Sequence, residues 1–367
     1  MVVLGVDVHK HTHTTATVDE VGRRIAERTA RAIDTGHEQL LMWARRQFPS
    51  DRTWAIEDCR HVSTRLERAL LAAGEQVVRV PPKLMANTRR SARTRGKSDP
   101  IDALAIARAA LREPDLPIAS HDEASREVKL LIDHRDNLVT ERTRAQNRLR
   151  WHLHELDPEL DIPPRSLDRL GVLDRLTAWA AQNTPAQKAQ QADQTGSPLP
   201  TGSVVVRLVS ELLADIRALT TRINALEREI TQRVTRLAPA LLALLGVGGL
   251  TAGKIVGETA NITRFRSEAC FAMHVGAAPI PASSGRTNRH RLARGGNRQL
   301  NAALHRIALT QIRITDSPGH TYYQRRRDQG DTKPEALRAL KRRLARVVFN
   351  LLQPPKTTTT SNQPTAA

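Results

Sequence analysis

Between Val205 and Ile230 the chain sets Val205, Val209, Leu212, Ile216, Leu219, Ile223, Leu226 and Ile230 at alternating spacings of four and three residues. A heptad spacing keeps one apolar seam on a single face of an α-helix, whereas a strand alternates its side chains between two faces and cannot use it. The stretch must therefore be a long helix whose seam is covered by another helix. A helix hairpin within the chain and a coiled-coil dimer would serve equally. An earlier helical run, Ser125–Leu156, carries Val128, Leu131, Ile132, Leu138, Val139, Ala145, Leu149, Leu153 and Leu156. The polar stretch Asn183–Gly202 between them reads as a linker or loop.

The first 120 residues follow a different rule. VVLGVDV (Val2–Val8) is a β-branched run, followed by the turn-rich HKHTH and a second strand candidate, TTATVDE, ending at a Gly22 turn. GHEQLLMWARRQF has helical spacing, TWAIEDC reads as a buried strand, STRLERALLAAG as a helix closed by Gly74, and EQVVRVPP as another strand. Strands alternating with helices and opened by a hairpin point to an α/β sheet of mixed strand direction. The expected domains are thus 1–122 (α/β), 123–240 (long helices, with the polar linker 183–202), 241–352 (helical) and a tail, 353–367, with nothing to bury and expected to be disordered.

Acids in this first region carry the chemistry. Asp7 sits inside VVLGVDV, where a buried charge is costly unless paired or bound to a metal. Glu57 ends TWAIE in a like position. Asp99 and Asp102 open the helix DPIDALAIA; Pro100 suits its first position, which makes Asp99 the N-cap and Asp102 the third helical residue. Alone, that pair reads as helix capping. Together the four resemble the RNase H-like arrangement, in which adjacent strands and a later helix converge carboxylates on two Mg²⁺ ions. Hard divalent cations prefer oxygen ligands and can clamp the attacking and leaving oxygens of a phosphodiester. His9, His11 and His13 form an HxHxH run beside Asp7, but hard-metal chemistry does not want three imidazoles, and a turn or solvated edge fits them better.

Charge supports a polyanionic partner. Lys and Arg number 57 against 38 Asp and Glu, a formal net charge of +19, and nucleic acid is the first candidate for so basic a chain. The run Lys83–Lys97, which includes Arg95, contains no acid. With aromatics at 3%, base-stacking platforms are disfavoured and phosphate contacts favoured. Two distant cysteines, Cys59 and Cys270, make neither a disulfide framework nor a zinc knuckle. No apolar run is long enough to span a bilayer, and MVVLGVDVHK lacks a signal peptide's basic start and cleavage site; the expected location is the cytoplasm.

The C-terminal third holds a second constellation. LLALLGVGGLTAGKIVGET reads as helix–Gly-Val-Gly–helix, with Gly246 and Gly248 making a turn that either grips a nucleic-acid phosphate or is a plain αα-turn. Farther on, Ser283 and Ser284 precede Gly285, and Arg286, Arg289, Arg291, Arg294, Asn297 and Arg298 follow. Hydroxyls are thereby set among phosphate-binding cations; an isolated SSG would read as a polar turn.

GVDVHK, AIEDC, KSDPIDALAIA, LLGVGGLTA and GAAP…SSG…GGNRQLNAAL occur in the order found in the DEDD transposases of bacterial insertion sequences, and the chain resembles that family of bridge-RNA-guided recombinases from Val3 to about Leu352. The resemblance implies a RuvC-type RNase H fold joined by a coiled coil to a small helical transposase domain. It implies Asp7, Glu57, Asp99 and Asp102 as the Mg²⁺ ligands, and the serine before the glycine, Ser284 beside Ser283, as a nucleophile that attacks a DNA phosphate. It further implies DNA, a non-coding guide RNA and further copies of the chain (a dimer or tetramer) as partners, with each half of the site supplied by a different subunit. Lys97, Arg95, the arginines of the serine loop, Asn297, Gly246 and Gly248 are the expected nucleic-acid contacts. GAAP stands where the family has GLxP, a change that bears on packing rather than chemistry. The alternatives are a Mg²⁺-dependent resolvase of Holliday junctions using water as nucleophile, and a non-catalytic nucleic-acid scaffold.

Overall fold

The computed structural model describes residues 1–58, 60–91, 98–113, 115–120, 122–183, 203–283, 290–293 and 295–354. Its first region builds a five-stranded sheet from β1 (Val2–Val8), β2 (Thr12–Val18), β3 (Arg24–Arg31), β4 (Arg52–Glu57) and β5 (Gln76–Val80), in the order β3-β2-β1-β4-β5. β1, β2 and β3 are antiparallel neighbours, and β1, β4 and β5 run parallel. This order and these directions are the RNase H-like arrangement. β3 has no apolar alternation: Ala30 alone among its residues is buried, because β3 is an edge strand. The pattern-based reading therefore passes over it.

Each strand has two working faces. Leu4, Val6 and Val8 share a core with Trp54 and Ile56 and with residues of α1 (Asp34–Gln47) and α2 (Arg60–Ala72). On the opposite face Val3, Ala55, Val78 and Val80 pack with Met85 of α3 (Pro82–Ser91) and with Ala105, Ile106 and Ala107 of α4 (Asp99–Arg112). α4 lies directly on β1. A Cβ at Gly5 would stand 2.3 Å from both the Ala103 carbonyl oxygen and the Ala107 nitrogen, so only glycine permits this approach. The basic run expected between Lys83 and Lys97 begins on helix α3, and residues 92–97 lie outside the described residues.

The chain divides into two compact units: Met1–Arg126 with Ala238–Val247 and Glu258–Ala367, and Glu127–Leu237 with Gly248–Gly257. The second unit contains most of α5 (Glu123–Leu156), then α6 (Leu170–Gln182) and α7 (Ser203–Leu237), the heptad helix. Glu127 pairs with Arg233 and Arg135 with Glu227, and Arg142 donates to the Thr220 hydroxyl. As one helix ascends in number the other descends, so α5 and α7 run antiparallel. The seam residues Val209, Leu212 and Ile216 are buried with Leu149 and Leu153 of α5 and Leu173 and Leu176 of α6. Of the two covers open to the seam, this part takes the one from within the chain.

The helix after the Gly-Val-Gly turn, α9 (Gly249–Thr259), follows only a single helical turn, α8 (Pro239–Leu242). Gly246 has φ +87°, with Thr310 Cβ and the Ile307 carbonyl oxygen close to where its side chain would be. The described contacts thus account for Gly246 as a turn residue, while Gly248 faces open space. Within the second unit, a side chain at Gly249 or Gly253 would strike Thr231 or Ile230 of α7, and one at Gly257 would strike Lys129 of α5. These glycines let helices approach closely, a role the motif alone did not separate from phosphate binding.

Beyond them come α10 (Glu268–Val275), a two-strand ribbon of β6 (Ile280–Pro281) and β7 (His290–Arg291), α11 (Arg298–Arg313), α12 (Pro318–Asp328) and α13 (Lys333–Leu352). No helix among the described residues is long and apolar enough to cross a membrane. Residues 184–202 and 355–367, the bulk of the expected linker and tail, lie outside the described residues.

Candidate active site

Strand register places the first two acids. Val6 of β1 pairs with Ile56 of β4, so the residues that follow, Asp7 and Glu57, end adjacent parallel strands side by side. Alternation turns both toward the face of Val3, Gly5 and Ala55, the one α4 covers. The close passage of α4 over Gly5 then brings the N-terminal turn of that helix to the same end of the sheet. Asp102 is more than nine-tenths buried there, as is Asp7, while Asp99 is half-exposed.

The helix start corrects the capping expectation. α4 begins at Asp99, with Ser98 as N-cap and Pro100 second, and no side-chain capping hydrogen bond is made. Asp99 Oδ1 instead stands 3.4 Å from His9 Nε2, which is 3.0 Å from Asp7 Oδ2. Asp102 Oδ1 accepts a 2.8 Å hydrogen bond from Arg89 of α3. Capping therefore does not explain either acid.

The carboxylates feel one another. Burial pushes the Asp7 carboxyl above its ordinary range; His9 offsets part of this, and the charges of Asp102 and Asp99 add to it. Burial raises Glu57 as well, and Asp7 and Asp102 raise it further against the pull of His9 and Arg89. Asp7 and Asp99 thus meet through His9, and Asp102 and Glu57 belong to the same group of interacting charges. Asp7, His9 and Asp99 each offer a ligand atom within 4.8 Å of the others. Carboxyl oxygens that repel one another, two of them buried on Asp7 and Asp102, suit a hard divalent cation, which would replace that repulsion with attraction.

His9 and Arg89 are the residues that the sequence reading did not assign to this site. The HxHxH run splits three ways. His9 joins the acids, His11 is exposed, and His13 is buried on β2 with its Nε2 3.2 Å from that of His37. The turn expected for this run lies between Val8 and Thr12 and holds His9 and His11, while His13 belongs to β2.

The serine region is partly described. Ser283 is exposed beyond β6; Ser284, Arg286, Arg289 and Arg294 lie outside the described residues, as do Arg95 and Lys97. Arg291 and Arg298 are exposed. Asn297 was expected on nucleic acid, yet both ends of its amide are engaged inside the fold. Its oxygen caps α11 through the Gln299 and Leu300 N–H groups, and its nitrogen donates to Glu258 at 2.7 Å. Asn301 donates to the carbonyls of Val275 and Gly276, both at 3.0 Å. Gly296 lies so near Gly276 that a Cβ on it would be 2.2 Å from the Gly276 nitrogen. GAAP and GGNRQLN are therefore two halves of one scaffold, and the β6–β7 ribbon projects from it.

An RNase H-like sheet that brings an acid of its central strand and one of its covering helix together on a basic chain is the frame of a phosphodiester-cleaving enzyme. A family model described as the DEDD transposase of IS110 matches residues 4–158, and a second, the transposase of the IS116/IS110/IS902 family, matches residues 238–324. A 44.8 kDa protein of insertion element IS116 from Streptomyces clavuligerus is 29% identical over 95% of this chain and 94% of its own length. A 43.6 kDa protein of IS110 from Streptomyces coelicolor is 30% identical over 70% of this chain and 71% of its own length. The chain belongs to the IS110 family of DEDD transposases, enzymes that cleave DNA. Thermus thermophilus RuvC, solved with a Holliday junction, aligns over 32% of this chain and 99% of its own at 16% identity and a TM-score of 0.26; the fold assignment rests on the strand order instead.

Proposed function

We propose that this transposase cuts and rejoins the DNA of its insertion element by serine attack, with Asp7, Glu57, Asp99 and Asp102 holding two Mg²⁺ ions. The close group of Asp7, His9 and Asp99, with Asp7 and Glu57 only partly compensated by His9 and Arg89, carries the reading. Bound there, the ions would supply positive charge to the phosphate and lower the barrier to loss of the attacking hydroxyl's proton. Ser284, with Ser283 beside it, contributes the attacking oxygen. Its bond to phosphorus forms as a deoxyribose oxygen leaves and takes up a proton, so the phosphodiester energy is kept in a phosphoserine link for rejoining. Arg89 holds Asp102 in place. Arg291 and Arg298, with the neighbouring arginines of the serine loop, draw the DNA backbone in.

In this reading residues 1–122 carry the carboxylates, 241–352 carry the serine loop, and the long helices between join them within a homo-oligomer. A non-coding guide RNA reads the target sequence by base pairing, which suits a chain rich in arginine and poor in aromatics. Replacing the RNA's target-complementary loop should retarget insertion with the protein unchanged, and a target choice that does not follow the loop speaks against guidance. For the nucleophile, the purified chain with its RNA, DNA and Mg²⁺ should give a protein–DNA adduct on denaturing gels. Ser284→Ala abolishes it. Persistence of the adduct in Ser284→Ala and its loss in Ser283→Ala would move the role by one residue. Cleavage without any adduct in the wild type would favour water as nucleophile.

A further inference from the structure

Lys341, on α13, is a buried cation. It is 8% exposed, its Nζ donates to the Asn301 side-chain oxygen, and no acid among the described residues pairs with it. Burial pushes its pKa down, and the nearby His305 is pushed the same way, by burial first and by Lys341 second. An ammonium has three donors and keeps its charge in a protein interior only when anions or good acceptors meet it. Among the described residues one neutral oxygen does.

The surroundings say what is missing. Lys341 lines a cavity of about 470 Å³ whose walls include Gly276–Pro279 and His290–Leu292, the two stems of the serine ribbon. Three other cations of the wall have acidic partners: Arg342 makes a two-pronged pair with Glu268, Arg326 is bound to Asp331, and Arg338 stands 3.9 Å from Glu335. Arg291, exposed, stands at the ribbon. The volume is that of a ligand pocket, and its buried unmatched charge is positive.

We propose that Lys341 binds a backbone phosphate of the DNA strand held beside the serine ribbon. This rests on the proposed role of the ribbon, since that role makes the strand DNA. The same lysine also holds Asn301, and through it the Val275 and Gly276 carbonyls, so an occupied phosphate site would be rigidly tied to the stem of the ribbon.

Lys341→Met keeps the apolar stem and removes the charge. Binding of the full-length chain to a duplex spanning the element's end should weaken about tenfold, and the slope of log affinity against log salt should fall by about 0.9. The decisive readout is a methylphosphonate scan, which neutralises one phosphate at a time. Wild type should lose about tenfold at one position where Lys341→Met loses nothing further. A uniform loss at every position, or no loss, overturns the proposal and leaves Lys341 a structural residue. If Lys341→Met does not fold, acylation of Lys341 in the wild-type chain, followed by mass spectrometry, decides. Several-fold protection by the duplex supports the contact, and equal labelling overturns it. Binding needs no cleavage, so the scan in Ser284→Ala separates the two claims. An adduct in the wild type with no Lys341 position defeats this inference alone; a Lys341 position with no adduct defeats the serine mechanism alone.

Discussion

The same sheet holds buried acids of two kinds. Glu75, at the start of β5, accepts 2.7 and 2.6 Å hydrogen bonds from Arg52, one of 3.0 Å from Arg45 and one of 3.0 Å from the Trp54 indole. Burial alone would raise its carboxyl, and those donors outweigh it, holding Glu75 below the ordinary range. At the other end of the strands burial raises Asp7 and Glu57, and His9 and Arg89 offset only part of it. A structural acid comes with its cations built in. Asp7 and Glu57 are matched only in part, which keeps a place for cations supplied from solution.

Substitutions should separate the two sets. Asp7→Asn or Glu57→Gln should reduce DNA cleavage by about a thousandfold or more, the worth of several kcal/mol of lost metal assistance, while melting in EDTA stays level or rises. Glu75→Gln should do the reverse: roughly 3 kcal/mol of stability lost as Arg52 and Arg45 are left unmatched, with residual activity in whatever fraction stays folded. Thermal melting and a cleavage assay on the same preparations check both. Equal melting losses for Asp7→Asn and Glu75→Gln would erase the distinction.

The comparison also depends on where α4 lies. Gly5→Ala forces a methyl against the α4 backbone, and about 1–3 kcal/mol of stability should go with it. Because the helix must shift, cleavage should fall further than stability explains when assayed well below the melting point. A Gly5→Ala variant with full activity would mean that Asp99 and Asp102 do not need this helix position.

Acidification sharpens the contrast with a smaller effect. Asp7 and Glu57 have folded pKa values raised above their unfolded ones, so their penalty is present in full above the raised values and fades as pH falls to the ordinary range. In EDTA the melting advantage of a double Asp7→Asn, Glu57→Gln variant over wild type should therefore shrink with falling pH. Glu268 runs the other way. Hydrogen bonds from Arg342 and then Arg346 bring it down to about 2 from 4.5, so its stabilisation is present above pH 4.5 and is lost as pH falls toward 2. Melting curves of Glu268→Gln and wild type should converge over that lower window.

Much of this site was legible in the residues because charge inside an apolar strand is costly enough to announce itself. Asp7 and Glu57 stand out in VVLGVDV and TWAIE for that reason, and helix punctuation located Asp99 and Asp102 although it named the wrong cap. His9 and Arg89 were hidden, since their partners are set by a strand end and by a helix, α3, that begins at prolines and carries little apolar pattern. β3 escaped because an edge strand has one face in water. The cap made by Asn297 was not legible because a polar residue beside arginines looks the same in sequence whether it caps a helix or meets a phosphate. Lys341 gave no signal at all: its burial depends on the ribbon scaffold, formed by residues forty and more positions away.

The central claim is that Asp7, Glu57, Asp99 and Asp102 share divalent cations. Calorimetric titration of Mn²⁺ into the metal-free full-length chain tests it directly. Saturable uptake in the wild type, lost in Asp7→Asn and in Glu57→Gln but kept in Glu75→Gln, is the predicted result; uptake that is the same in all four proteins, or missing from the wild type, would contradict it.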